Sequence, residues 1–167
     1  MSLTETDYVR EIKSLLPEEG EVAVEVLELM EKAVAEYPNS SKLWCWRGDL
    51  IQMASLEANY ELNDALKSYE RALEIDPSNA EAYESIGYYE DAIMSNPISA
   101  ETPFRKAIEF GAGRDSYYGL ARVLAELNRN TEALEVISSV NCQYYETAEI
   151  QEIKTEIEEG VWNDDSA

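Results

Sequence analysis

An aromatic residue followed four positions later by a small one occurs three times in this chain, as Trp44/Gly48, Tyr83/Gly87 and Tyr117/Ala121. The aromatics stand 39 residues apart (44 to 83) and then 34 (83 to 117). A period of about 34 residues is the signature of stacked helix-turn-helix units, none of which can bury its apolar face alone. Four-residue spacing also places both members of each pair on one face of a helix. The chain therefore reads as an all-α array of antiparallel helix pairs, an α-solenoid.

The clearest unit lies between 40 and 79. Its first helix is expected over 42–53, with Trp44 and Gly48 on the face that meets the sister helix, and its second over 63–75. In that second helix Ala65, Tyr69, Ala72 and Leu73 recur at helical intervals, and small residues let two backbones approach closely. Pro77 ends it, because proline cannot continue the hydrogen-bond ladder. The next unit opens at Ser78-Asn79-Ala80-Glu81, the spacing of a capping box in which the serine and the glutamate satisfy each other's amides. It runs on through Tyr83, Ile86 and Gly87, then Ala100, Phe104 and Ala107. Proline is comfortable only in a first helical turn, so Pro97 and Pro103 predict a helix start near 99–102, with Gly111 and Gly113 as the stop. At the end, Ile150, Ile153, Ile157 and Val161 form one apolar stripe with Glu152, Lys154, Glu156, Glu158 and Glu159 mostly on other faces. That helix is expected to cap the open end of the stack.

These residues resemble the tetratricopeptide repeat family. Its unit carries an aromatic at the fourth position, small residues at the eighth, twentieth and twenty-seventh, and proline at the thirty-second. Trp44, Gly48, Ala65, Ala72 and Pro77 occupy those places here. Two departures stand out: Arg47 replaces the usual leucine, and about five extra residues fall between the helices, within 54–63. The third full unit fits without insertion through Tyr117, Leu120, Ala121, Leu124, Ala133 and Ile137. Upstream, Leu27, Met30, Ala33 and Pro38 match a second half-unit, and Val9, Ile12 and Leu16 make a weaker first half. The resemblance implies a right-handed solenoid forming a single domain over 1–167: a degenerate repeat at 4–40, repeats at 41–79, 80–112 and 113–141, and a capping helix at 143–161.

Composition removes most chemical functions. The chain has no histidine, the commonest general base and metal ligand. Cys45 and Cys142 form no C-x-x-C pair, and with no histidine to activate it Cys45 reads as a small packing residue. Acidic pairs such as Glu18/Glu19, Glu158/Glu159 and Asp164/Asp165 lack calcium-loop spacing, and Gly111-Ala112-Gly113 reads as a helix stop instead of a phosphate loop. No catalysis, metal or cofactor is expected. A net charge of −22, from 35 acidic and 13 basic residues in 167, repels phosphate backbones and anionic lipid, which excludes nucleic acid and membranes as partners. Residues 1–7 carry acids and no apolar run, and no stretch approaches the ~20 apolar residues of a membrane span, so the expected location is the cytoplasm.

In this family the first helix of each unit lines a groove with its second, fifth, ninth, twelfth and thirteenth positions. Carried over by position, the resemblance implies a groove of Lys42, Cys45, Asp49, Gln52 and Met53, then Glu81, Glu84, Tyr88, Asp91 and Ala92, then Asp115, Tyr118, Arg122, Ala125 and Glu126. One subgroup clamps a partner's C-terminal carboxylate with lysine at the fifth position and asparagine at the ninth. Here Cys45 and Asp49, then Glu84 and Tyr88, stand at those places, so a carboxylate would meet negative charge. The expected partner is a protein segment carrying Lys or Arg, held by Tyr88 and Tyr118 through cation–π contact and by Asp49 and Glu84 through charge-assisted hydrogen bonds. Tyr88, Tyr118, Trp44 and Trp46 also read as packing residues between helices. The function implied is an adaptor, scaffold or chaperone-like module, monomeric or weakly homo-oligomeric. Two alternatives remain at this level: a self-associating assembly protein using a repeat face or the 54–63 insertion, and an acidic secretion-type chaperone for an apolar effector segment.

Overall fold

The computed structural model describes residues 3–54, 58–139 and 148–162, and the chain divides into two compact units, Met1–Ala82 and Tyr83–Ala167. Cys142, the Asp164/Asp165 pair, part of the 54–63 insertion and the connection into the last helix lie outside the described residues. Apart from one isolated parallel bridge between Val22 and Ala54, the described regular structure is helical. The all-α fold class read from the repeat period is the one found.

The first unit contains α1 (Glu5–Leu15), α2 (Val24–Glu36), α3 (Ser41–Gln52) and α4 (Leu62–Ile75). Thr4 and Asp7 cap α1 reciprocally, and Ser40 accepts from the Leu43 amide to start α3. Tyr8 and Ile12 of α1 and Val26, Leu27, Met30, Ala33 and Val34 of α2 are buried, so the degenerate half-units do form a helix pair with a core. The segment between them is tied to the next pair: Val22, fully buried, donates its amide to the Met53 carbonyl at 2.7 Å. Within α3/α4, a methyl group at Gly48 would land on the ring of Tyr69, which is why a small residue is needed there. The Arg47 departure also has a structural account. Its guanidinium donates to Glu31 (2.8 Å) and Ser68 (2.6 Å) and lies over the rings of Trp44 (5.7 Å) and Tyr60 (5.6 Å). A leucine would fill this space, but the arginine fills it and joins α2, α3 and α4 by charge-assisted bonds.

Helix α5 (Ala80–Tyr88) starts at the unit boundary and continues into a π-helical turn, Tyr89–Ile93, followed by α6 (Pro97–Glu109), α7 (Arg114–Glu126), α8 (Asn130–Ser139) and α9 (Ala148–Glu159). Three local expectations need correction. Asn79, not Ser78, caps α5: its side-chain oxygen accepts from the Ala82 amide at 2.9 Å, while Ser78 is held by Asp76. Helix α6 begins at Pro97, capped by Asn96, and continues through Pro103. Pro97 sits where its missing N–H costs nothing. The carbonyl that Pro103 leaves without its helical donor belongs to Ser99, an exposed residue where water can substitute. Finally, the apolar stripe of α9 ends at Ile157, and Val161 lies beyond Gly160 (φ 69°) and is exposed. Gly111 does stop α6, at φ 91° with the Ala112 amide returning to the Ala107 carbonyl.

The core of the second unit gathers Ala100 and Phe104 of α6, Leu120, Ala121, Val123, Leu124 and Ala125 of α7, Ala133 and Ile137 of α8, and Ile150 and Ile157 of α9. Asn130 of α8 donates to the Ile157 carbonyl at 3.1 Å and fixes the end of α9. Apart from the cleft described below, Glu101, Arg105, Arg129 and Glu132 form an ion-pair network joining α6 to the start of α8.

Candidate functional site

Five of the residues assigned to a binding face from sequence position come together in the second unit. Tyr88, at the end of α5, sets its ring edge-on against Phe104 (5.0 Å, 85°) and donates its hydroxyl to the Asp115 carbonyl at 2.8 Å. Glu84, one turn earlier, accepts from the Ser116 hydroxyl. The π-helical turn places Asp91 inward, its side chain only 2% exposed, where it pairs with Arg122 of α7. Arg122 also lies 3.8 Å from Glu126. Tyr118, half-buried on α7, completes the group.

Together with Gly119 and with Ile153 of α9 and Trp162 just beyond it, Tyr88, Tyr118 and Arg122 line a cleft of about 190 Å³. Gly119 contributes by absence: a methyl group there would meet the ring of Phe104 beneath. Burial together with Glu84, Asp115 and Asp91 pushes the Tyr88 phenol up to about 12 against the opposing pull of Arg122. Glu126 is also raised, by burial and then by Asp91, with Arg122 acting the other way. The cleft thus has aromatic walls in a negative field.

The assigned residues of the first unit do not converge on one cleft. Cys45 is fully buried in the core. Asp49 and Gln52 both turn to Tyr69, whose hydroxyl donates to Asp49 at 2.9 Å and accepts from the Gln52 amide. Lys42 is exposed at the start of α3, with its ammonium 5.7 Å from the centre of the Trp46 ring, and Met53 is exposed at the other end. Lys13 approaches the same Trp46 ring at 5.0 Å. Ile153 and Trp162 were not assigned to any binding face from sequence. The signal for Ile153 was present in the stripe of α9, of which Ile150 and Ile157 turn to the core while Ile153 remains part-buried at the cleft. Trp162 lies past the helix stop, where periodicity carries no information.

A family model for the TPR repeat matches residues 61–91. The structure superimposes on YrrB, described as a TPR protein with an unusual peptide-binding site, with a TM-score of 0.67 and 26% identity over 81% of this chain and 68% of that one. The chain carries a tetratricopeptide repeat at 61–91 and shares the fold of solved TPR proteins. MamA aligns over 96% of this chain and 86% of its own, with a TM-score of 0.69 and 18% identity. TTC0263, a thermophilic TPR protein of Thermus thermophilus, aligns over 94% and 88%, with a TM-score of 0.62 and 17% identity. At those identities the last two speak to the fold alone. No curated protein matches the sequence. Among the described residues, no helix is long and apolar enough to cross a membrane.

Proposed function

We propose that this chain is a non-catalytic protein-interaction module whose repeat helices hold a Lys- or Arg-bearing segment of a partner protein. The reading rests chiefly on the face built by α5 and α7, where Tyr88 and Tyr118 offer ring surface inside the field of Glu84, Asp115, Asp91 and Glu126. Among the described residues lining the cleft only Arg122 opposes them, and its charge is engaged by Asp91. A cation approaching such a site gains Coulomb energy before contact and ring contact after it. The likeness to YrrB, described as carrying a peptide-binding site, supports a peptide as the ligand class. In the first unit, Lys42 on α3 and Met53 at its end are proposed as secondary contacts. Cys45 is the weakest member of the set because it is buried, and Asp49 and Gln52 are both engaged by Tyr69.

The test is calorimetric titration with short lysine-rich and glutamate-rich peptides at low and at ~0.15 M ionic strength, where screening acts over ~8 Å. Lysine peptides should bind and weaken with salt. Glu84→Lys with Asp115→Lys should abolish binding, whereas Glu158→Lys with Glu159→Lys should barely change it. Equal binding of both peptide charges would end the proposal. A second reading, self-association, draws on Met94 and Ile98, which are 54% and 74% exposed at the entry to α6. A dimer that survives dilution in light scattering and is lost in Ile98→Lys would favour it.

A further inference from the structure

The end of the second unit bears on which basic segment is chosen. The cleft's far wall is α9 and the turn after it, through Ile153 and Trp162. At about 190 Å³ the cleft is smaller than the ~300–1,000 Å³ typical of sites for whole small molecules, and its scale suits one side chain. Its lining is aromatic and aliphatic, and the single charged group among the described lining residues is Arg122. A lysine or arginine pushed fully inside would leave water for described lining residues that include no carboxylate, so its place is at the ring edges and in the acidic surround. The carboxylates of Glu84, Asp115 and Glu126 act on Tyr88 and Arg122 but are not part of the lining. The cleft therefore separates two chemistries, with an apolar interior and an acidic surround.

We infer that this cleft is an anchor pocket for one aliphatic or aromatic side chain of a partner segment in which that residue is flanked by Lys or Arg. The inference rests on the basic-segment reading above and adds the residue that chooses among basic segments. Charge complementarity favours this occupant over the chain's own residues 163–167, which include Asp164 and Asp165 and no large apolar side chain. Ile153 and Trp162 thereby give the capping helix a part in recognition as well as in closing the core.

The experiment uses the full chain and amidated peptides of the form Lys-Lys-X-Lys-Lys with X as Leu, Phe or Ser, titrated by calorimetry with Trp162→Ala and Trp162→Phe alongside. Burying one apolar side chain is expected to favour Leu and Phe over Ser by about tenfold or more. That preference should persist at high salt while all affinities fall, vanish in Trp162→Ala and largely survive in Trp162→Phe. Unchanged circular dichroism of Trp162→Ala establishes that the cleft, not the fold, was altered. Two variants that both fail to fold would be replaced by Ile153→Ala, on which the same preference is read. Equal binding of the Leu and Ser peptides to the unaltered chain overturns the anchor pocket and leaves the basic-segment reading standing. An undiminished Leu preference in Trp162→Ala overturns it too. If Glu-Glu-Leu-Glu-Glu binds as well as its lysine counterpart, the basic-segment reading fails instead. Tighter binding after removal of 163–167, or a dimer that the peptides dissociate, would show that the pocket already has an occupant and overturn the assignment to a partner.

Discussion

Each unit seats one aromatic ring of a second helix against glycine of a first helix, and the two rings differ by an oxygen atom. In the first unit Tyr69 lies on Gly48, and in the second Phe104 lies between Gly87 and Gly119. Both rings are fully buried. The phenol must have partners inside, and it takes them from α3: Asp49 and Gln52, at the ninth and twelfth positions, are drawn to it. Burial and the Asp49 carboxylate hold the Tyr69 phenol well above its usual pKa, so it stays a neutral donor. Phe104 makes no such demand. The ninth-position residues Tyr88 and Arg122 line a cleft instead. The ninth position thus bonds to the sister-helix ring in one unit and lines a cleft in the other, and one oxygen atom on the sister helix separates the two.

The largest expected effect comes from removing the ring. Phe104→Ala should cost about 3–5 kcal/mol, since it empties a site that two glycines and Tyr88 enclose. In native-state hydrogen exchange the loss should appear first in α6 and α7. A cost below that of a surface substitution would show that Phe104 is not the keystone of the unit.

Next come the glycines. Gly119→Ala and Gly48→Ala each push a methyl group onto a ring, and overpacking of this kind costs about 1–3 kcal/mol. Gly119→Ala should be the worse, because a methyl group at Gly87 would also fall on Phe104, so the ring already has backbone close on its other side and has little room to retreat. Gly113→Ala, with open space around it, should be nearly silent in the same urea titrations.

Exchanging the oxygen tests the comparison directly. Tyr69→Phe leaves Asp49 and Gln52 without their shared partner and should cost about 0.5–1.5 kcal/mol. It should also return those two side chains to the surface, measurable as new lysine-peptide binding by the first unit. Phe104→Tyr should cost more, about 1–3 kcal/mol, because it buries a hydroxyl among glycine backbone and carbon.

Sequence pattern made the helices legible because small residues at fixed spacing report backbone approach. The expected spans 42–53 and 63–75 fall within a residue of Ser41–Gln52 and Leu62–Ile75. Local chemistry was less legible where two signals competed. Asn79 displaced Ser78 as the cap of α5, and Pro103 was read as a barrier although its helix only had to forgo one bond at an exposed turn. The π-helical turn had no visible signature, and it is what turns Asp91 inward onto Arg122. Glu84, Tyr88, Asp91, Tyr118 and Arg122, which position within the repeat put on one face, lie near one another on α5, the π-helical turn and α7. Position could not reveal that Tyr69 would engage Asp49, which depends on one oxygen of another helix.

The smallest expected effect sets the cleft side of the second unit against its α6/α8 face by pH. On the α6/α8 face, the Glu132 carboxyl is held below its usual pKa by Arg129 and Arg105, and Glu101 is also lowered, the same arginines outweighing its burial. Groups lowered in the fold stabilise it above the unfolded value of about 4.3 and lose that contribution as pH falls through the folded value. Glu126 at the cleft side is raised instead, by burial and Asp91. Its native state favours the proton, so stability declines as pH rises from the unfolded value through the folded one, and the ionised form carries a cost at neutral pH. Glu126→Gln should therefore raise the melting temperature slightly at pH 7 and leave it unchanged below about pH 4, where the native glutamate is already protonated. Glu132→Gln should do the reverse, lowering the melting temperature at pH 7 and converging with the unaltered chain in acid. Melts of the two variants across that range would sink the comparison if both shifted the same way.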